Sequence, residues 1–155
     1  MKQNKTPDYI FVSIQLLLFV LYWWHPEPVS SVLTFIWKYI GVVLGLMGLI
    51  LITFAFIQLN RNLTMLPTPV KNATLITTGV FKYIRHPIYS GIFLVALGYA
   101  MIILSFDHIM IALLILLLFE IKSNYEEKKL TAYFPDYIQY KSVTGKFFPF
   151  HLIKI

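Results

Sequence analysis

Charged and aromatic side chains are concentrated in two short segments, residues 73–91 and 122–130, of a chain that is otherwise poor in charge. The first segment brings Arg85, His86 and Tyr89 together around a proline, a residue favoured in the first turn of a helix. The free N–H groups and the dipole at a helix start favour an anion. The segment therefore predicts a site for a negatively charged group. Interfacial contact of its cations with lipid head groups is the alternative interpretation.

The second segment carries two adjacent carboxylates, Glu126 and Glu127, close to several lysines. Exposed pairs of this kind contribute only about 0–1 kcal/mol, so a solvated helix extension is one interpretation. Together with the first segment, however, the carboxylates predict a pocket for a ligand of mixed charge. S-adenosylmethionine has such chemistry: its carboxylate suits His86 and the helix start, its amino group and ribose suit Glu126, and its sulfonium suits aromatic faces.

The composition indicates which kind of protein must position these segments. Of 155 residues, 58% are hydrophobic and 13% are charged, and the mean hydropathy is +0.72. Ordinary soluble domains have about 45–50% apolar and about 25% charged residues. These values exclude intrinsic disorder and disfavour a soluble globule of this length. The lack of cysteine excludes disulfides, thiolate zinc sites and cysteine nucleophiles. We expect no metal site.

Four apolar runs predict transmembrane helices, because each is long and contains few charges. They cover about residues 9–24, 33–59, 88–104 and 109–125. We therefore predict an all-α integral membrane bundle of four transmembrane helices, with a cytosolic loop and a C-terminal cytosolic helical tail, as a single domain over residues 1–155. A GxxxG pattern from Gly41 to Gly45 favours close helix packing inside this bundle over homodimerisation, and the oligomeric state is not predicted.

The positions of the basic residues orient this bundle. Twelve of the 13 lysines and arginines fall on one side of a four-helix arrangement. Cytoplasmic segments of membrane proteins carry such an excess. The sequence therefore predicts a multi-pass protein, typical of a bacterial inner membrane, with both termini and the two charged segments in the cytosol. Nearly all of the net charge of +6 therefore lies on the cytosolic side, where it orients the bundle, and we expect membrane lipids but no nucleic acid as partners.

Four stretches of the chain match one known pattern. They are Thr78-Gly79-Val80-Phe81, Arg85-His86-Pro87-Ile88-Tyr89-Ser90-Gly91, Glu126-Glu127-x-x-Leu130 and Tyr137-x-x-Tyr140. Over about residues 60–150 the chain resembles the isoprenylcysteine carboxyl methyltransferase family, within a broader group that includes phospholipid N-methyltransferases and small bacterial integral-membrane methyltransferases. The resemblance implies S-adenosylmethionine held at the cytosolic end of the bundle.

The resemblance also implies roles for individual residues. The cofactor contacts that it implies are Ala73, Thr74, Leu75, Ile76, Phe81, His86, Pro87, Ile88, Tyr89 and Glu126. The catalytic candidates are Lys122, Glu126, Glu127 and Arg85. Lys122 stands where the family has a substrate-binding arginine, and it offers one point charge in place of a planar two-pronged donor. The acceptor therefore stays open among a prenylcysteine-like carboxylate, a phospholipid amine and a thiol.

The predicted function is S-adenosylmethionine-dependent methyl transfer to a lipophilic or amphipathic acceptor at the cytosolic membrane face. Such a transfer needs neither a metal nor a covalent enzyme intermediate, so we expect His86 and Glu126 to position the cofactor and not to act as acid and base. A non-enzymatic membrane protein is one alternative. A sterol-reductase-like, NADPH-dependent enzyme is another, although sterol reductases are much longer chains.

Overall fold

The computed structural model describes residues 6–24, 34–60, 64, 66–68 and 73–149, and the regular elements among them are helices apart from one isolated bridge pair. These elements are α1 Thr6–Trp24, α2 Thr34–Leu59, a 3₁₀ helix Gly79–Lys82, α3 Pro87–Ile103, α4 Phe106–Tyr133 and α5 Tyr137–Val143. The predicted all-α class is confirmed for the described residues. Some features used to orient the bundle lie outside the described residues, namely the turn at 25–31 and Lys2, Lys5, Arg61, Lys71 and Lys154.

The fourth helix is longer than the predicted segment 109–125 at both ends. It begins at Phe106 because the Ser105 hydroxyl caps it, accepting a hydrogen bond from a backbone N–H of the first turn. It continues through a run of good helix formers and ends at Tyr133. The next residue, Phe134, precedes a proline and is extended, since a residue before proline disfavours the helical conformation.

Two of the described helices, α1 and α2, are long and apolar enough to cross a membrane. Helix α3 is also apolar but has only 17 residues. Helix α4 has 28 residues and spans about 42 Å, but it carries six charged side chains between Glu120 and Lys129. Many large apolar side chains of α1 and α2 are exposed, as expected of surfaces that face lipid. A bundle with four crossings stays a prediction.

Glycines bring α2 and α3 into backbone contact. A Cβ atom built on Gly41 would lie 2.5 Å from the carbonyl oxygen of Gly98, and one on Gly48 would lie 2.6 Å from that of Gly91. A Cβ on Gly45, in contrast, would meet nothing within 4 Å. Gly41 and Gly48 thus serve packing within the chain, the interpretation that the sequence favoured.

The substitution Gly48→Ala is expected to destabilise the bundle, whereas Gly45→Ala is not. The new methyl at position 48 meets helix backbone, which cannot rotate away, and overpacking of this kind costs about 1–3 kcal/mol. At position 45 the new methyl meets no atom within 4 Å, and the higher helix propensity of alanine should stabilise the helix by about 1 kcal/mol. Thermal unfolding of both variants in detergent measures the difference. Equal unfolding temperatures would contradict the tight α2–α3 contact.

The segment that follows α5 docks against the start of α3. Ile84 and Gly145 form a parallel bridge, and the backbone N–H of His86 donates to the carbonyl oxygen of Lys146 at 3.0 Å. One turn into α3, the Ser90 hydroxyl donates to the carbonyl oxygen of Phe147 at 2.7 Å. These contacts fix the position from which the His86 side chain projects.

Candidate active site

A cavity of about 380 Å³ is lined by residues from all five α-helices. Its volume falls within the range of about 300–1,000 Å³ that is usual for small-molecule sites. All ten of the predicted cofactor contacts line this cavity: Ala73, Thr74, Leu75, Ile76, Phe81, His86, Pro87, Ile88, Tyr89 and Glu126. Three of the four catalytic candidates, Arg85, Lys122 and Glu126, line it as well. The fourth, Glu127, lies behind the wall.

Glu126 is the carboxylate that faces the cavity. Its Oε2 accepts a hydrogen bond from the Tyr89 hydroxyl at 2.9 Å and lies 3.8 Å from Nδ1 of His86. The side chain is 24% exposed. An ionised carboxylate has about four lone-pair sites, so Glu126 can accept further hydrogen bonds from a ligand.

Glu127 is buried, with its side chain 3% exposed, and both of its oxygens are engaged. Oε1 lies 2.9 Å from Nε of Arg85 and 3.3 Å from Nε2 of His86, and Oε2 lies 2.6 Å from Nζ of Lys141. Burial alone would raise the pKa of Glu127, but hydrogen bonds from these three partners outweigh it and hold the pKa well below its usual range. The ionised carboxylate thereby joins the start of α3 to α4 and α5.

The Arg85 guanidinium completes this network. Its Nη1 donates to the backbone carbonyl oxygen of Lys141 at 3.0 Å and to that of Thr144. The interfacial interpretation of Arg85 is therefore wrong for this structure: the side chain is 8% exposed and its donors bind protein groups. The fork of guanidinium donors suits this multiple bonding in a way that a lysine ammonium would not.

An aromatic stack forms one wall of the cavity. The rings of His86 and Tyr89 are parallel to within 1° at 5.4 Å between centroids, and Tyr89 lies on Phe119 at 4.5 Å and 12°. The ring of Phe147 lies 6.1 Å from that of His86, centroid to centroid, and is tilted by 53°. Stacked rings of this kind give a rigid apolar surface whose faces attract cations.

Lys122 connects α4 to α1 across the cavity. The residue is 2% exposed, and its Nζ donates to Oε1 of Gln15 at 2.8 Å and lies 5.2 Å from the centroid of the Tyr89 ring. Gln15 also lines the cavity, and it was not predicted from the sequence. The available signal was an amide inside an apolar predicted span, since polar side chains in such spans are rare and usually face the bundle interior.

Two tyrosines of α5 line the cavity but differ in their hydroxyl groups. The Tyr140 hydroxyl donates to the backbone oxygen of Phe81 at 2.6 Å. The Tyr137 hydroxyl is buried, and it has no hydrogen-bond partner among the described residues. Burial, reinforced by the nearby charge of Glu127, raises the pKa of Tyr137 far above its usual value, so the hydroxyl stays protonated.

The turn before α3 is held by α2. Gly79 has a φ of 59°, a left-handed conformation that glycine adopts without strain. The side chain of Gln58 lies against Gly79, and its Oε1 accepts from the backbone N–H of Val80 at 3.1 Å. This contact places Phe81 in the cavity wall.

The start of α1 is fastened to α4. Asp8 is fully buried and its Oδ1 lies 2.7 Å from Nζ of Lys129, while the Thr68 hydroxyl donates to Oδ2. The neighbouring Pro67 lines the cavity. The Asp8–Lys129 pair and Thr68 therefore hold α1, α4 and residues 66–68 around one end of the site.

Comparison with known proteins places these elements in a family. Residues 36–136 match the phospholipid methyltransferase family. The chain is also 30% identical, over 99 residues, to the protein-S-isoprenylcysteine O-methyltransferase of Schizosaccharomyces pombe. That match covers 61% of this chain and 42% of the relative, so the chain spans less than half of the relative's length.

The family match contains α2, α3, α4 and most of the cavity wall, whereas α1 and α5 lie outside it. It includes the glycine contacts of α2 with α3 and the two adjacent carboxylates Glu126 and Glu127 of α4. It also includes residues 73–91 and 122–130, the two charged segments in which the sequence resemblance lies. Since the match covers more than half of the residues, the chain belongs to the phospholipid methyltransferase family.

Proposed function

We propose that this protein is an S-adenosylmethionine-dependent methyltransferase that acts on a lipophilic or amphipathic acceptor at the cytosolic face of a membrane. The observation that carries the proposal is the cavity: every predicted cofactor contact lines it, and one carboxylate, Glu126, faces into it. Family membership and the O-methyltransferase relative support the same reaction class.

The residues present fit this methyl donor. Glu126 offers a carboxylate for an amino or hydroxyl group, and the aromatic side chains of Phe81, His86 and Tyr89 line the cavity in which a cationic sulfur would lie. When bound, S-adenosylmethionine supplies an electrophilic methyl group attached to a positively charged sulfur. The ammonium of Lys122, on the α1 side, is placed to hold the polar group of the acceptor.

The chain's own contribution is orientation and exclusion of water. Correct alignment of two reactants is worth about 7–11 kcal/mol at best. The network of Arg85, Glu127 and Lys141 supports the cavity wall from behind, so we assign Glu127 and Arg85 to positioning. Apolar side chains of α1 and α2, including Leu16 and Phe56, close the other side and suit the hydrocarbon part of an acceptor.

The membrane arrangement is part of the proposal. We infer that α1 to α4 cross the membrane and that the cavity lies at its cytosolic end. The charged residues of the described chain support this, because Lys82, Lys128, Lys141 and Lys146 all belong to the segments around the cavity end. At the opposite ends of α1 and α2 lie the exposed aromatic side chains of Trp23, Trp24 and Phe35, as expected of a membrane interface.

Two measurements on the purified protein in detergent test the proposal. Isothermal titration with S-adenosylmethionine should show saturable binding, and incubation with methyl-radiolabelled S-adenosylmethionine and a total lipid extract should label a product that mass spectrometry can identify. Protein with Glu126→Gln is the control for both. Absence of heat and of any thermal shift at millimolar S-adenosylmethionine would refute the proposal and favour a non-enzymatic role.

A further inference from the structure

We propose that the hydroxyl group of Tyr137 is a ligand-binding donor, which gives a hydrogen bond to an oxygen or nitrogen acceptor of bound S-adenosylmethionine. The proposal rests on the proposed function. It assigns a binding role to α5, which lies outside the residues of the family match.

The observation behind the proposal is an unsatisfied donor. Tyr137 is 1% exposed, and its hydroxyl has no partner among the described residues. Leaving a buried polar group unpaired is unfavourable, so such groups in native proteins require an explanation. Packing alone does not provide one, because a phenylalanine would fill nearly the same volume without the penalty.

The surroundings of Tyr137 point to the cofactor end of the site. Tyr137 lines the same cavity as Glu126 and Phe81. Its hydroxyl interacts electrostatically with Glu126, Glu127 and Arg85. Arg85 and Glu127 already bind each other. A ligand in the cavity is therefore the natural acceptor, and a ribose hydroxyl, a carboxylate or an adenine nitrogen each has the required chemistry.

Tyr140 provides a comparison from the same helix. It lies three residues further along α5 and also lines the cavity, but its hydroxyl is already bound to the Phe81 backbone. Removal of the two hydroxyls should therefore have different effects on the stability of the free protein and on ligand affinity. The Tyr140 hydroxyl contributes to the free protein, whereas the Tyr137 hydroxyl contributes only once a ligand is bound.

The test compares Tyr137→Phe, Tyr140→Phe and Tyr133→Phe in full-length protein, the last being an exposed tyrosine outside the cavity. For each variant the unfolding temperature without ligand and the Kd for S-adenosylmethionine are measured in detergent. Tyr137→Phe should leave the unfolding temperature unchanged or raise it, and should weaken binding about tenfold, which is about 1.4 kcal/mol. Tyr140→Phe should lower the unfolding temperature, and Tyr133→Phe should change neither quantity.

Two results would overturn this inference alone: wild-type affinity in Tyr137→Phe, or a loss of unliganded stability as large as that of Tyr140→Phe. The second result would mean that the hydroxyl already has a partner in the free protein. If the wild-type protein itself binds no S-adenosylmethionine, the proposed function fails and this inference fails with it. Retained binding by wild type with an unaffected Tyr137→Phe isolates the failure to Tyr137.

Discussion

Replacing Glu127 by alanine is expected to lower the free energy of unfolding by about 3–5 kcal/mol, because it leaves a buried cation without its counter-charge. Arg85 is 8% exposed and would lose its only carboxylate partner among the described residues. His86 would lose its contact with Glu127. Thermal unfolding in detergent measures the loss. The matched control is Glu126→Ala, since the adjacent carboxylate is partly exposed and accepts one tyrosine hydrogen bond.

The contribution of Glu127 to the free energy of unfolding should also depend on pH, and it should decrease in acid. The folded-state pKa of Glu127 is lowered from an ordinary value of 4.5. Its stabilising contribution is therefore complete above about pH 4.5 and is lost as the pH falls from there towards the folded-state pKa. The difference in stability between wild type and Glu127→Gln should shrink over that range. A difference that stays constant down to pH 3 would contradict the ionised network.

The second large effect is expected on ligand binding. Glu126→Gln should weaken S-adenosylmethionine binding by about 10- to 100-fold, because hydrogen bonds to a charged group contribute about 1.5–3 kcal/mol. The change keeps the shape of the side chain and its hydrogen bond with the Tyr89 hydroxyl, so the fold should be retained. Isothermal titration of the wild type and the variant gives both affinities.

The two carboxylates thus predict a crossed pattern. Variants of Glu126 should change affinity with little effect on unfolding, and variants of Glu127 should change unfolding first. If Glu126→Gln binds the cofactor like wild type, the assignment of the cavity carboxylate is wrong. If Glu127→Ala instead loses affinity at unchanged stability, Glu127 belongs to the ligand site and not to its support.

The local sequence was sufficient to predict the helices and one side of the cavity. Apolar runs with few charges specify helices whatever their neighbours are, and a proline after His86 marks where α3 begins. Arg85, His86 and Tyr89 were predicted from their charges and aromatic rings at a helix start, and Glu126 from its carboxylate, and the family resemblance added residues 73–76 and Phe81. Their common pocket was predicted from these charges and aromatic rings, and the ten predicted cofactor contacts all line one cavity.

The contacts that were not predicted all depend on long-range geometry. Gln15 meets Lys122 across 107 positions of the chain, and Lys141 reaches Glu127 from a different helix. Glu126 and Glu127 look equivalent in the sequence, but neighbouring helix positions point in directions about 100° apart, so one faces the cavity and the other faces Arg85. Likewise, the sequence could not predict that the Tyr137 hydroxyl lacks a hydrogen-bond partner among the described residues, because this depends on the positions of all neighbouring polar groups.

The docking of residues 145–147 on the start of α3 has a consequence for the order of synthesis. A chain emerges from the ribosome from its N-terminus at about 5–20 residues per second, so α1 to α4 are made before this segment exists. Until Gly145, Lys146 and Phe147 have emerged, the backbone N–H groups of Arg85 and His86 lack their acceptors, and Ser90 lacks one of its two. Helices α1 to α4 can therefore form first, and the cavity wall around His86 is completed only after α5 and residues 145–147 have been made.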